Sequence, residues 1–385
     1  MRRYSITGKY FLAVALLSGL SAGCSTIDKL NPFSSSIKLP ELAPVKQSVQ
    51  VATLWRSSVP KGGEYVLVPA RVGESVYAAG RDGTIARIDG GREAWKINAG
   101  VTISGGVGAS EAFVVVGSPK GEVHAYGVDG KLAWKSRVSS EVLAPPAIGE
   151  GVVLVRSADS RIHALDLADG KRKWVYQRAT PTLSLRSAAG PVMLDKAALA
   201  GFSGGKLLAL SLTNGGPLWE VTVAMPRGAT ELERIADVTS EPVLGPRQVC
   251  AAAYQGRLGC FDPASGNALW TRDISSFAGM DTDGQSIYVT DEKGAVHALD
   301  IKTGASIWKQ DKLQLRGVTR PLVVGTYVAV ADSKGLVHLL RRSDGEFAAR
   351  MVVDSSGVRA DLVRLSDSAF LVQCVNGELS AFSVP

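Results

Sequence analysis

The chain contains seven tryptophans, at 55, 95, 134, 174, 219, 270 and 308, at successive intervals of 40, 39, 40, 45, 51 and 38 residues. A period near 40 is the mark of a chain built from repeated supersecondary units. The regular unit is 293–309, KGAVHALDIKTGASIWK. A glycine turn opens it, and an apolar strand runs through Val296–Ile301. A Thr303-Gly304 turn follows, then a second strand ending at Trp308. The apolar residues alternate with His297 and Asp300, which is strand periodicity.

Gly83, Gly121, Gly205, Gly256 and Gly294 hold the same turn position 12 to 14 residues before a tryptophan, and Ser160 holds it before Trp174. A seventh copy pairs Gly335 with Phe347 in the tryptophan position, and an eighth starts at Asn376-Gly377. The second turn recurs as Asp129-Gly130, Asp169-Gly170, Asn214-Gly215, Ser265-Gly266 and Asp344-Gly345. Such pairs reach the positive φ that tight hairpins need. A further apolar strand precedes each glycine turn, and a Pro-bearing segment precedes most of these, as at Pro145-Pro146 and Pro242. Four strands per unit, with no helical units, predict an all-β, eight-bladed β-propeller of four antiparallel strands per blade. The eighth copy reaches Pro385 without a tryptophan, and Trp55 has no glycine strand before it. The strand near Trp55 is therefore expected to complete the eighth blade and close the ring, removing two open edges.

Three segments are expected: a signal at 1–23, a tether at 24–50 and the propeller at 51–385. Arg2, Arg3 and Lys9 precede the short apolar stretch 10–20, and Ser21-Ala22-Gly23 leads to Cys24. That is a secretion signal, too short to span a membrane comfortably. The stretch 25–50 is rich in Ser, Pro and Lys, without period, and reads as a flexible tether. Taking the signal's three basic residues from the chain's 43 leaves 40 against 36 acidic ones. With no basic run interleaved with aromatics, nucleic acid is not an expected partner.

At the level of the ALD…TG…W unit the repeat is similar to that of quinoprotein dehydrogenases. Over the mature chain it more closely resembles the BamB family of outer-membrane assembly lipoproteins. The stretches Leu183-Ser184-Leu185-Arg186, Ala229–Val238 and Val353-Asp354-Ser355-Ser356-Gly357 carry that resemblance, together with Leu20-Ser21-Ala22-Gly23-Cys24, which resembles a lipoprotein box with Ser21 where Leu is preferred. The resemblance implies lipidation at Cys24. Ser25 after it implies the outer membrane, with the propeller on the periplasmic face and monomeric. It implies a non-enzymatic scaffold that docks on the periplasmic domains of the assembly protein BamA beside the other BAM complex subunits. Unfolded outer-membrane proteins would be the clients, met by strand addition at blade edges. The matching docking positions are Leu183 and Leu185 as apolar anchors, Arg186 as donor and Asp237 as its complement. Where the family has a second acid after that Asp, this chain has Thr239.

The residues themselves offer little chemistry. His124, His163, His297 and His338 each lie three residues after a turn position, one repeat slot in four blades. They are expected to be structural, with no metal and no cofactor. A quinone dehydrogenase, the competing reading, would need a vicinal cysteine pair, and the chain has no Cys-Cys dipeptide. A small-ligand propeller using the central channel is the third reading. Cys250 and Cys260 flank Tyr254-Gln255-Gly256 symmetrically, so a three-residue turn would place them opposite each other as a disulfide. A two-residue turn would misalign them and leave two reduced core cysteines. The 45- and 51-residue intervals put insertions before the inner strands of blades four and five. The first holds Leu183, Leu185 and Arg186, read either as a partner patch or as core. The second opens with the capping-box pattern of Thr230 and Glu233, which predicts a short helix. Arriving at corresponding ends of adjacent blades, the two insertions are expected side by side on one face.

Overall fold

The computed structural model describes residues 39–385, and 41–385 form one compact unit. Cys24, the signal segment and most of the expected tether lie outside the described residues. Among the described residues there are 32 strands and no helix, in eight four-stranded antiparallel sheets. Blades one to seven occupy 70–98, 105–137, 147–177, 192–222, 243–272, 279–310 and 322–352. Within each, the four strands pair in sequence order from the axis outward. Blade eight takes three strands from 363–383 and its outer strand, Ala52–Ser58, from the other end of the chain; Trp55 pairs with Ala381. The ring is an eight-bladed propeller closed where the tryptophan spacing places the seam.

Burial along the strands follows from sheets stacked face to face. In blade three the third strand, Arg161–Asp166, buries four consecutive residues, because both its faces meet neighbouring blades. The outer strand, Arg172–Gln177, is exposed at most positions and buries Trp174. That tryptophan spans the seam: its Nε1 donates to the Leu212 carbonyl of blade four at 2.7 Å, and its ring lies under Gly215. The pattern repeats around the ring. Trp95, Trp134, Trp219, Trp270 and Trp308 donate to carbonyls of the following blade at 2.8–2.9 Å. A β-carbon built on Gly345 would come within 2.5 Å of the Trp308 ring, and the φ of +73° there already favours glycine. The second turn and the tryptophan are thus two halves of one inter-blade contact. Ser160 does adopt the left-handed conformation of the glycine it replaces, with φ of +60°.

Blade seven corrects the sequence reading. Trp308 stands opposite Ala298, and the matching partner of Leu339 in blade seven is Ala349, not Phe347. Offsets of 12 to 14 residues from the turn allow either. The blade lacks its tryptophan where the following blade lacks the turn to receive it, since blade eight joins its third and fourth strands from opposite ends of the chain. Val49 joins the buried cluster of Ala348, Ala349, Phe382 and Val384 at this seam.

The last part of the expected tether is also held. Ser48 N donates to the Ala348 carbonyl at 2.8 Å and Gln47 Nε2 to the Arg350 carbonyl at 3.0 Å. Arg350 Nη1 donates to the Ala43 carbonyl at 2.8 Å. Residues 43–49 therefore form a strap over the outer strand of blade seven, Phe347–Val352.

Candidate partner-docking face

In each blade the end of the outer strand returns beside the glycine turn, as where Val223 N donates to Gly205 O and Val353 N to Gly335 O. Connections between blades and glycine turns therefore share one face of the disc, and both insertions emerge there. The first spans 178–191 and the second 223–242, neither with regular strand. The capping box of the second forms: Glu233 N donates to Thr230 Oγ1 at 3.2 Å and Thr230 N to Glu233 Oε2 at 3.0 Å. It starts a single turn, closed by Arg234 N to Thr230 O at 3.2 Å, in place of the predicted helix.

The two insertions interlock. Asp237 Oδ2 accepts from Leu185 N at 2.7 Å, and Oδ1 accepts from Gly204 N of the blade-four turn at 3.0 Å. Ser187 Oγ donates to the Thr239 carbonyl at 2.7 Å. At the base, Arg156 Nη1 donates to the Ala189 carbonyl at 3.2 Å. Burial pulls the Arg156 pKa down to about 10, against the pull of nearby Asp237 in the other direction. Sequence reasoning expected Asp237 to present charge to a partner. It is 3% exposed and both its oxygens are engaged inside the chain, so it shapes the loop from behind. Buried carboxylates need such donors, because an unsatisfied one is costly to desolvate.

With the loop held there, Leu183 is 41% exposed, Leu185 half-buried and Arg186 on the surface. Arg186 Nη2 donates to Glu141 Oε1 at 2.6 Å, and its guanidinium lies 5.5 Å from the centre of the Tyr65 ring. Exposed apolar groups missed by the spacing argument lie on neighbouring segments: Met225 and Leu232 on the second insertion and Phe277 before blade six. Phe277 sits in an interval of ordinary length, so nothing in the period singles it out. Its carbonyl accepts from Thr239 Oγ1 at 3.1 Å, which joins it to the interlocked loops.

The hairpin below the second insertion is braced. Cys250 pairs with Cys260 in register, with Cα atoms 4.0 Å apart and the sulfurs joined. Between them Gln255 takes a left-handed φ of +49°, and Tyr254 N donates to the Asp237 carbonyl at 2.8 Å. With its amide turned to donate, Gln255 reaches the carbonyls of Leu232, Glu233 and Ile235 at 3.0–3.2 Å. Cys374 is a buried free thiol, pushed up to about 12 by burial and by neighbouring acids.

The same face opens into a cavity of about 820 Å³ on the axis, with Arg186, Ser187, Thr239 and Phe277 at its wall. Deeper in, Arg320 lies 3.3 Å from Asp361 and 3.7 Å from Glu241, and Arg364 is 3.1 Å from Asp281. Burial pushes the Glu241 and Asp361 carboxyls up, against the pull of Arg320. The four histidines do not converge; each is absorbed within its own blade region. His124 meets Tyr126, His163 meets Ser139 and Ser157, and His297 meets Asp291. His338 Nδ1 accepts from Arg350, so its Nε2 faces Asp332 as a donor.

The family description "Outer membrane protein assembly factor BamB" matches residues 81–310. A protein of that name from Bordetella pertussis is 40% identical over 98% of this chain and 98% of its own length. The crystal structure of BamB from Moraxella catarrhalis superposes with a TM-score of 0.81 at 27% identity, covering 87% of this chain and all of that one. A quinohemoprotein alcohol dehydrogenase from Pseudomonas putida superposes with a TM-score of 0.71 at 12% identity, covering 89% of this chain and 78% of that one. That last likeness is one of fold alone.

Proposed function

The chain belongs to the BamB family of outer membrane protein assembly factors, and from that membership we propose that it is a docking scaffold whose insertion face binds the periplasmic domains of BamA within the BAM complex. The role is non-catalytic. The observation that carries the surface is the interlock of the two insertions, which holds Leu183 and Arg186 outward through the Asp237 bracket. Arginine is enriched among interface hot spots, and the exposed leucine beside it adds apolar area for a partner to cover. Lipid on Cys24 would tether the propeller to the periplasmic side of the outer membrane, and delivery of unfolded outer-membrane proteins is the task this placement serves.

The test is affinity purification from detergent-solubilised outer membranes. Leu183→Asp and Arg186→Glu variants, shown by their melting curves to be folded, should lose most of the BamA that co-purifies with the parent protein. Full recovery of BamA with both variants would move the docking surface elsewhere. The fold shared with quinohemoprotein dehydrogenases gives no support to catalysis here. The two bonded cysteines stand across a hairpin, ten residues apart, and not as a vicinal pair.

A further inference from the structure

Arg186 is held by residues from two other parts of the ring. Glu141 belongs to the connection before blade three, and Tyr65 to the connection between blades eight and one. The insertion thus reaches along the cavity mouth to a ring three blades away, and Arg186 and Tyr65 both line that cavity. Tyr65 is itself fixed. Its N–H donates to the Gly62 carbonyl at 3.2 Å, and the Arg81 guanidinium, 5.8 Å from the ring centre, is paired at 3.0 Å with Glu64. Glu64, Arg81, Tyr65, Arg186 and Glu141 therefore form one chain of contacts across the mouth. Neither Tyr65 nor Glu141 falls in an insertion or a repeat slot.

The contacts leave Arg186 usable. Glu141 engages Nη2, whereas a guanidinium offers five donor hydrogens. The Arg186 side chain remains 55% exposed, against 23% for Glu141. A flexible arginine loses several rotatable bonds' worth of freedom when it binds, and one already held loses less. The guanidinium lies over the Tyr65 ring, and a guanidinium held in place is what bidentate pairing with a carboxylate requires.

We propose that Tyr65 and Glu141 are positioning residues that hold Arg186 at the cavity mouth, oriented to receive a carboxylate of the docked partner. The inference rests on the docking reading above. It adds that the partner presents an Asp or Glu opposite Arg186, and that the ring of a distant blade sets the strength of that contact.

Binding of the purified periplasmic domains of BamA to the full propeller, measured by biolayer interferometry at fixed salt, tests it. Arg186→Ala should weaken binding at least about tenfold, the loss of a charged hydrogen-bonded contact. Tyr65→Leu, which keeps apolar bulk, should weaken it on the order of three- to fivefold, the scale of an exposed cation–π contact. Tyr65→Phe keeps the ring and should stay within about twofold of the parent. The double variant Tyr65→Leu, Arg186→Ala should bind no worse than Arg186→Ala alone, because the ring acts through the arginine. Lys171→Ala, at the exposed second turn of blade three, serves as the control and should bind as the parent does. In the free protein, the Arg186 Nε–Hε order parameter should fall in Tyr65→Leu and not in Tyr65→Phe, a readout independent of affinity.

Loss with Arg186→Ala, but none with Tyr65→Leu or fully multiplicative effects, would overturn the positioning role and leave the docking face standing. No loss with Arg186→Ala would overturn both.

Discussion

The Asp237 bracket makes a sharp prediction about Asp237→Asn. The carboxylate spends one oxygen on the Leu185 amide, at 2.7 Å, and the other on the Gly204 amide, at 3.0 Å. Asparagine brings one acceptor oxygen. Whichever amide keeps it, the other N–H faces an NH2 group and a donor is left unpaired in a site that is 3% exposed. A hydrogen bond to a charged group contributes about 1.5–3 kcal/mol, so the local cost is taken as about 2 kcal/mol. At 1.4 kcal/mol per factor of ten, that is roughly a thirtyfold rise in the open population of the loop. Amide exchange at Leu185 and Gly204 should accelerate by about that factor, with little change deep in blades one or seven. Capture of BamA should fall in step, because the loop that presents Leu183 and Arg186 is no longer held. Exchange at both amides within threefold of the parent would refute the bracket. Unchanged exchange with lost capture would mean that Asp237 contacts the partner itself.

Trp308→Ala should cost about 3–5 kcal/mol in urea unfolding, since it empties a buried seam and orphans the Arg342 carbonyl it now satisfies at 2.8 Å; a loss below about 1 kcal/mol would deny the seam its energetic role. His163 is 4% exposed, and burial pulls its pKa down to about 4. The unfolded chain therefore takes up a proton near pH 6.5 that the folded chain refuses, and stability is lost as pH falls from about 6.5 toward 4 by up to roughly 2–3 kcal/mol. His163→Gln should flatten that window in melts across pH, and an identical profile would discount the histidine.

The repeat was legible because two of its marks, a tryptophan and the glycine of the second turn, are halves of one contact made in the same way at successive seams. The Cys250–Cys260 register was legible as an alternative, because residues equidistant from a turn centre meet across a hairpin; the left-handed Gln255 selects the three-residue turn. Ala349 was not legible. Its offset overlaps that of Phe347, and the reason for the missing tryptophan lies in blade eight, whose hairpin is split between the chain's two ends. The role of Asp237 was hidden for a different reason. Its partners are backbone amides 33 and 52 residues away, which carry no sequence signature. Tyr65 and Glu141 stand in connections of ordinary length, so only the folded ring brings them to Arg186. The strap at 43–49 has no period. Its hydrogen bonds go to Ala348 and Arg350, about 300 residues away, which its own composition does not announce.

The seam between the first and last strands also sets an order in time. Ala52 pairs with Ser383, and Ser48 bonds to Ala348, so neither contact can form before nearly all the chain is present. By the logarithmic cost of closing a loop, that pairing is about 3 kcal/mol harder to begin than one across a hairpin of some fifteen residues. Blades one to seven can each assemble from neighbouring sequence, while Val49, Trp55 and the open side of blade one wait unpaired. During that wait the chain exposes its first strand as a free edge bearing a bare tryptophan. A holding partner would have most to protect at that point. Slow, late closure should appear as a final kinetic phase that reports on Trp55 fluorescence alone.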